Sequence, residues 1–421
     1  MRRLNYKVNG WVLFLILCLL LVPQRSHGQQ SDSTKTFMGS NVDLDSLLSD
    51  TTKIIEDAAL DIGQNRGLFI VTPGGEMQLR ILGSVRYLVV YDDTNMELKN
   101  SFNTFDIPVN MSNHRLPNYY NGLDQSRLGF EITRKTDKGN VFIRLETDFA
   151  GPNGFRFRHA YGQYQSFLFG QTWSLFSQVS FLPATVGFGG PTGSISVRSP
   201  QIRYTAKDLI PASTVSLGLE YFKPDFNLPD SIIAESFQLI PDITGRIQTK
   251  VSWGSLQLSG IVPILTARTE EGTFVARPGW GISFATVIES WAGGKWYLQA
   301  GGGRAINRYY HDLSGKGMDI LFDTQNDKTH LPFTFGSYAT YEHHWSSSLY
   351  SNFTYSLLRL QKESFAPEDT YHRGDNFRFN TFWSIVEGAR IGAEIIYASR
   401  KNKDNTRGTA ARLNLLFYYD F

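Results

Sequence analysis

The stretch Arg412-Leu-Asn-Leu-Leu-Phe-Tyr-Tyr-Asp-Phe421, RLNLLFYYDF, places Leu413, Leu415, Phe417, Tyr419 and Phe421 on one side of an extended chain and Arg412, Asn414, Tyr418 and Asp420 on the other. A period of two is the pattern of a strand with one apolar and one polar face. It recurs upstream. Leu128, Phe130 and Ile132 alternate with Arg127 and Glu131, and Val141, Ile143, Leu145 and Phe149 are set against Arg144, Glu146 and Asp148. A soluble sandwich also alternates, so the connections between strands must decide the fold.

Sixteen such segments can be placed between residues 76 and 421, the sixth at 201–207 and the fourteenth at 376–387. Connections after even-numbered segments are mostly tight, as at Asp137-Lys138-Gly139, Gln165-Ser166, Gly293-Gly294 and Gly388. Those after odd-numbered segments are mostly long and polar, as at 92–123, 174–200, 308–332 and 363–375. Sorting of loops by parity is what a transmembrane barrel with short periplasmic turns and long external loops requires. An aromatic residue at the end of a closing strand, here Phe421, is also an assembly signal of outer-membrane barrels. The expectation is an all-β fold: a 16-stranded antiparallel transmembrane β-barrel spanning residues 67–421, with its apolar face toward lipid and its polar face toward water in the lumen. Trp173, Trp253, Trp280, Trp291, Trp296, Trp345 and Trp383 sit mostly near strand ends, where interfacial aromatic girdles belong.

The N-terminal region agrees. Residues 1–28 read as a signal peptide, with Arg2, Arg3 and Lys7 before the apolar run Trp11–Val22 and small residues Ser26 and Gly28 at a cleavage site. Export to the bacterial outer membrane follows. The single cysteine, Cys18, lies in that run, so no disulfide framework or thiolate site is expected beyond it. Removing Arg2, Arg3, Lys7 and Arg25 leaves 37 basic against 39 acidic side chains, and nothing suggests a nucleic-acid partner. Residues 29–66 are polar. Within them Leu44, Leu48, Thr51, Ile55, Ala58 and Ile62 follow the spacing of a coiled-coil seam, which reads equally as a short helical stalk or as a linker.

Neither catalysis nor a cofactor is indicated. Ser174, His159, His343 and His344 are available to a hydrolytic barrel, but no nucleophile elbow is present. His343 and His344 are adjacent on a strand, point to opposite sides and cannot chelate a metal together. Gly301-Gly302-Gly303 opens no helix and so cradles no phosphate. Arginine carries the stronger signal. In FRFRHAYGQY, Phe155, Phe157 and Tyr161 share one face, which turns Arg156 and Arg158 into the lumen; in QIRYT, Ile202 and Tyr204 turn Arg203 inward. The same logic directs Arg80, Arg86, Arg127, Arg144 and Arg378 inward, because an arginine facing lipid at mid-membrane costs about 2–4 kcal/mol. Such arginines serve either to pair with Glu131, Glu146 or Asp148, or to form an electropositive narrowing.

Between Arg127 and Thr205 the segments RLGFEITRK, FIRLETDFAG, FRFRHAYGQY, FLFGQTWS, LPATVGFGGPTG and VRSPQIRYT occur in unbroken order, and this order resembles the DcaP-like trimeric outer-membrane porins. The resemblance implies a homotrimer of 16-stranded channels in outer-membrane lipid. Each would carry an inward-folded constriction loop and take up small anionic solutes such as dicarboxylates. It also implies a periplasmic coiled coil and pore-constriction arginines at Arg156, Arg158, Arg198 and Arg203. The loop backbone would turn inward at Gly189, Gly190, Pro191 and Gly193, with Arg198 approaching from the loop. Ser199 stands where the family has glutamine. A general porin without a preferred solute is the alternative.

Overall fold

The computed structural model describes residues 66–109, 116–207, 209–227, 234–269, 274–290, 293–323, 325–326 and 328–421. The signal peptide and the helix-like stretch expected at 44–62 lie outside them.

Sixteen strands form the wall: β1 (Met77–Asp92), β2 (Arg127–Thr136), β3 (Gly139–Asp148), β4 (Arg156–Tyr164), β5 (Phe167–Trp173), β6 (Arg198–Lys207), β7 (Ser213–Glu220), β8 (Asp242–Val251), β9 (Gly254–Val262), β10 (Trp280–Glu289), β11 (Lys295–Arg304), β12 (Phe333–His344), β13 (Leu349–Leu360), β14 (Tyr371–Val386), β15 (Ala389–Asn402) and β16 (Arg407–Asp420). Each pairs antiparallel with the next. The last closes on the first, from Ser84↔Asp420 to Asp92↔Arg412. The backbone of Phe421 exchanges hydrogen bonds with Gly83 at 2.9 and 3.0 Å, so the seam is paired to its end. Two short strands, Leu68–Val71 and Asn118–Gly122, extend the sheet beside β1. Closure leaves no unpaired edge in the membrane, which is the condition for a sheet to exist there.

The alternation read from the sequence holds along most strands. Leu413, Leu415, Phe417 and Tyr419 face outward, while Arg412, Asn414, Tyr418 and Asp420 are buried on the inner side. The inner face is nevertheless not uniformly polar. Leu88, Val90 and Leu416 point inward and pack on Ala184 and Val186 of the 174–197 connection. Leu358, Leu360 and Tyr371 meet Phe176, Ile195, Ile306 and Tyr309, and Ile396, Ala398 and Ala410 meet Met96, Phe102 and Ile107. Three long external connections therefore fold into the mouth and bury apolar side chains against apolar patches of the inner wall. One such connection was expected.

Three other expectations change. Wall strand β6 begins at Arg198 rather than 201, and β14 at Tyr371 rather than 376. Trp253, Trp280, Trp296, Trp345 and Trp383 are exposed, as an aromatic girdle requires, but Trp173 is 6% exposed inside the barrel. His343 and His344 point to opposite sides, as expected: the first stacks edge-on against exposed Trp345 at 4.3 Å and the second bonds buried Glu342 at 2.9 Å.

Candidate functional site

The arginines that the alternation turns inward gather on adjacent strands. In register across β2 to β4, Glu131 lies opposite Arg144, and Asp148 lies opposite both Arg127 and Arg156. Opposite charges on facing positions support a sheet, and bidentate guanidinium–carboxylate pairs are the strongest of them. Arg156 grips both oxygens of Asp148 at 2.9 Å. Arg158 reaches Glu146 at 2.7 Å and Asp148 at 3.0 Å, while Arg144 bonds Glu146 at 2.6 Å. Arg80 bonds Glu131 at 3.1 Å, and Arg86 approaches Asp420 at 3.7 Å.

A β-bulge interrupts this order. Opposite Glu146 and Thr147 the register slips by one residue at Arg158, so Arg158 and His159 both turn inward. An extra residue in one strand reverses the faces beyond it. Phe155 and Phe157 consequently face outward at 51% and 50% exposure, but Tyr161 is buried against Phe142 and Leu168, contrary to the single face expected for all three. The bulge lets Arg158 approach two carboxylates from beside Arg156. The ring of Phe188 then covers both guanidinium groups, 5.2 and 5.4 Å from its centroid.

Arg198 reaches the same place from the wall, not from the loop. As the first residue of β6 it pairs with Trp173, and its guanidinium lies 3.5 Å over the indole. Arg203 sits deeper, 1% exposed, where it donates to Gln201 at 3.0 Å and to the carbonyl of Trp173 at 2.5 Å. It supports the platform beneath Arg198 and does not line the cavity.

The 174–197 connection forms the facing side. It leaves β5, follows the inner wall and returns to β6, and polar wall side chains hold its backbone along the way. Leu175 N donates to Glu220 at 2.8 Å. Gln257 donates to Ser177 O at 2.9 Å, Tyr338 to Phe181 O at 2.9 Å, and Asn352 and Asn380 to Ala184 O at 2.9 and 3.0 Å. Glu394 accepts from both Val186 N and Gly187 N at 3.1 Å, and is itself held by Arg378 at 3.2 Å and Asn414 at 2.8 Å. Gly193 has φ +71°, and a Cβ there would collide with the carbonyl of Leu357 on the far wall. Gly193 thus seats the loop against the wall, the Pro191 carbonyl accepts from Ser194 N within the loop, and Gly189 and Gly190 border the open space.

That space is a cavity of ≈ 180 Å³ between loop and wall. Arg86, Arg127, Arg156, Arg158 and Arg198 line it, with Thr185, Phe188, Gly189 and Gly190 of the loop and His311 of the 305–332 connection. Its lining among the described residues contains five arginines and no carboxylate. The acidic partners stand behind the guanidinium groups: Asp148 is fully buried, whereas the Arg156 side chain stays 38% exposed. His311 bonds Ser101 at 2.7 Å. Burial, reinforced by Arg378 and Arg156 against the opposing pull of Asp312, holds its imidazole below the usual histidine range. Phe188 and His311 were not singled out in the sequence, and Trp173 was assigned to the interfacial girdle, though an aromatic residue beside the glycine turn was a visible signal for the first. Among the described residues no cluster of three or more His, Cys, Asp or Glu could hold a metal ion.

Comparison with known proteins agrees with the fold. The outer membrane channel DcaP of Acinetobacter baumannii superposes with a TM-score of 0.71 at 20% identity, covering 83% of this chain and 99% of that one. An anion-selective porin from Comamonas acidovorans gives 0.56 at 12% identity, covering 82% and 100%. OmpT of Vibrio cholerae gives 0.51 at 11% identity, covering 86% and 100%. At these identities the likeness is one of fold. No curated protein sequence matches the chain. The DcaP outer membrane protein family, however, matches residues 54–421, so the chain belongs to that family of outer-membrane channels.

Proposed function

We propose that this channel passes small anionic solutes, dicarboxylates among them, by passive diffusion, and that it works as a homotrimer. The observation that carries the reading is the cavity whose lining holds five arginines and no carboxylate. A carboxylate entering it exchanges hydration water for guanidinium N–H donors in a planar fork that matches its own geometry. Asp148 and Glu146 fix the orientation of those donors from behind, so no rearrangement accompanies passage. Release stays fast because the solute remains partly hydrated. Trimer formation is supported by the outward aromatic group of Phe155, just before β4, with Phe157, Phe167, Phe169 and Tyr204 of β4 to β6, which offers an apolar contact.

Reversal potentials in planar bilayers test the selectivity. The wild-type channel favours chloride and succinate over potassium. The double variant Arg156→Gln, Arg198→Gln loses about 1 kcal/mol of attraction per charge in a wet passage, and its anion-to-cation permeability ratio falls by roughly fivefold or more. Equal permeability of anions and cations in the wild type would instead identify a general porin. The mass of the detergent-solubilised assembly, measured by light scattering, checks the trimer.

A further inference from the structure

A second array of cations lies on the outside of the barrel. At the external end of the wall, Arg359 of β13 stands opposite Arg373 of β14, Arg373 opposite Lys401 of β15, and Lys401 opposite Arg407 of β16. The alternating neighbours Leu358, Leu360, Asn402 and Gly408 are buried on the inner side, so the four cations face outward. Directly facing side chains have Cβ atoms about 4.5–5.5 Å apart, a placement in which like charges repel. One carboxylate relieves the row: Asp375 holds Arg373 at 2.7 and 2.8 Å. Among the described residues, Arg359, Lys401 and Arg407 have neither a hydrogen-bond nor an ion-pair partner. Two adjoining grooves share Arg359 and His372, and Lys362 and Arg304 border the first of them.

The rows beneath run in a fixed order toward the membrane. Two residues inward, Leu357, Asp375, Ser399 and Thr409 face one another across the same strands. Next come Tyr355, Phe377, Tyr397 and Ala411, and then Phe353, Phe379, Ile395 and Leu413. Each step is about 6.7 Å along the strand. Cation, mixed polar, tyrosine-rich aromatic and wholly apolar layers succeed each other as phosphate, sugar or ester, interface and hydrocarbon do in one leaflet of a membrane. On the strands that follow the closing seam, the described residues exposed at the external end include Tyr91, Tyr119, Phe149, Phe155 and Tyr221, which are aromatic and not cationic.

We propose that the outer face of β13 to β16 binds the phosphate-bearing headgroup of an anionic lipid of the outer leaflet, with Arg359, Arg373, Lys401 and Arg407 contacting phosphate and the aromatic row contacting the acyl chains. The repulsion within the row is thereby offset by a ligand that the wall itself does not supply. The row spans three strand spacings, about 14 Å, enough to meet more than one phosphate group.

The test uses the full-length protein in detergent, titrated with diphosphoryl lipid A and read by native mass spectrometry. The wild type retains the lipid, and the triple variant Arg359→Gln, Lys401→Gln, Arg407→Gln binds it at least about tenfold more weakly. Dephosphorylated lipid binds both proteins equally weakly, and millimolar inorganic phosphate fails to displace the bound lipid. Conductance and the heat-dependent gel mobility of the folded barrel remain unchanged, which separates this site from the pore. Should the triple variant fold poorly, the single Lys401→Gln and Arg407→Gln variants each show a smaller loss. Equal lipid retention by wild type and variants overturns the proposal. Displacement by inorganic phosphate also overturns it, in favour of a free-anion site. A change in copies per assembly without a change in lipid binding would assign the face to contact between subunits.

Discussion

The channel carries two groups of arginines built on the same strand geometry and opposed in their surroundings. On the inner wall of β2 to β4, cations face carboxylates in register: Arg144 opposite Glu131, Arg127 and Arg156 opposite Asp148. On the outer rim of β13 to β16, cations face cations, from Arg359 through Arg373 and Lys401 to Arg407. Both groups are rich in guanidinium, so the number of arginines does not separate them. The sign of the residue across the strand does. The inner group brings counterions with it and becomes part of the wall, presenting its remaining N–H groups to the passage. The outer group has little of its own to lean on, and its stability depends on what surrounds the barrel.

Removing one partner should therefore hurt far more inside than outside. Arg158→Ala leaves Glu146 and Asp148 buried with one cation fewer, and should cost roughly 3–5 kcal/mol. The readout is a lower temperature at which the folded barrel loses its compact gel mobility; an unchanged temperature would mean that the inner pairs contribute nothing to the wall. In lipid A-free detergent, Lys401→Gln should act in the opposite direction. It relieves like-charge repulsion and raises stability by about 0.2–1 kcal/mol, an increment that disappears when phosphorylated lipid is restored. A destabilised variant would break the contrast. The smallest effect concerns His311, whose imidazole burial and nearby arginines keep neutral. Anion preference should stay flat from pH 8 down to about 6.5 and rise only below that, as His311 gains a proton, while His311→Gln shows no rise. Because its folded value is depressed, the histidine's contribution to stability is present above its unfolded value and is lost as pH falls below that value and through the folded one. A rise already complete at pH 7 would contradict the assignment.

Most of the wall was legible in the sequence because alternation and loop parity are local properties. The sixteen strands and their closing pair follow from them, as do the inward directions of Arg156 and Arg158, whereas Arg198 was named through the family resemblance and was expected on the loop. Tyr161 was misplaced because a bulge at Arg158 shifts the face of everything after it, and one inserted residue leaves no mark on composition. Trp173 was assigned to the membrane interface by its position near a strand end, yet its ring carries Arg198 within the barrel. Leu416 and Leu88 interrupt the polar face because the 174–197 connection covers them, a contact between residues far apart in the chain. Parity turned Arg203 inward and the family resemblance grouped it with the cavity arginines; parity indicates a face and not a depth. The outer cation row escaped notice for a related reason: its four members are separated by loops and become neighbours only through register.

Glu394 secures Val186 from 208 residues further along the chain, and Asn352 and Asn380 hold Ala184 from 168 and 196 residues away. Contacts so distant in sequence form late, since long stretches of chain must first be brought together. During biogenesis the narrowing can therefore order only after the thirteenth to fifteenth strands are in place. An unfinished barrel would be a wide, unselective hole. On the proposed reading selectivity is a late product of assembly, and the appearance of a discriminating current would report that the wall has closed.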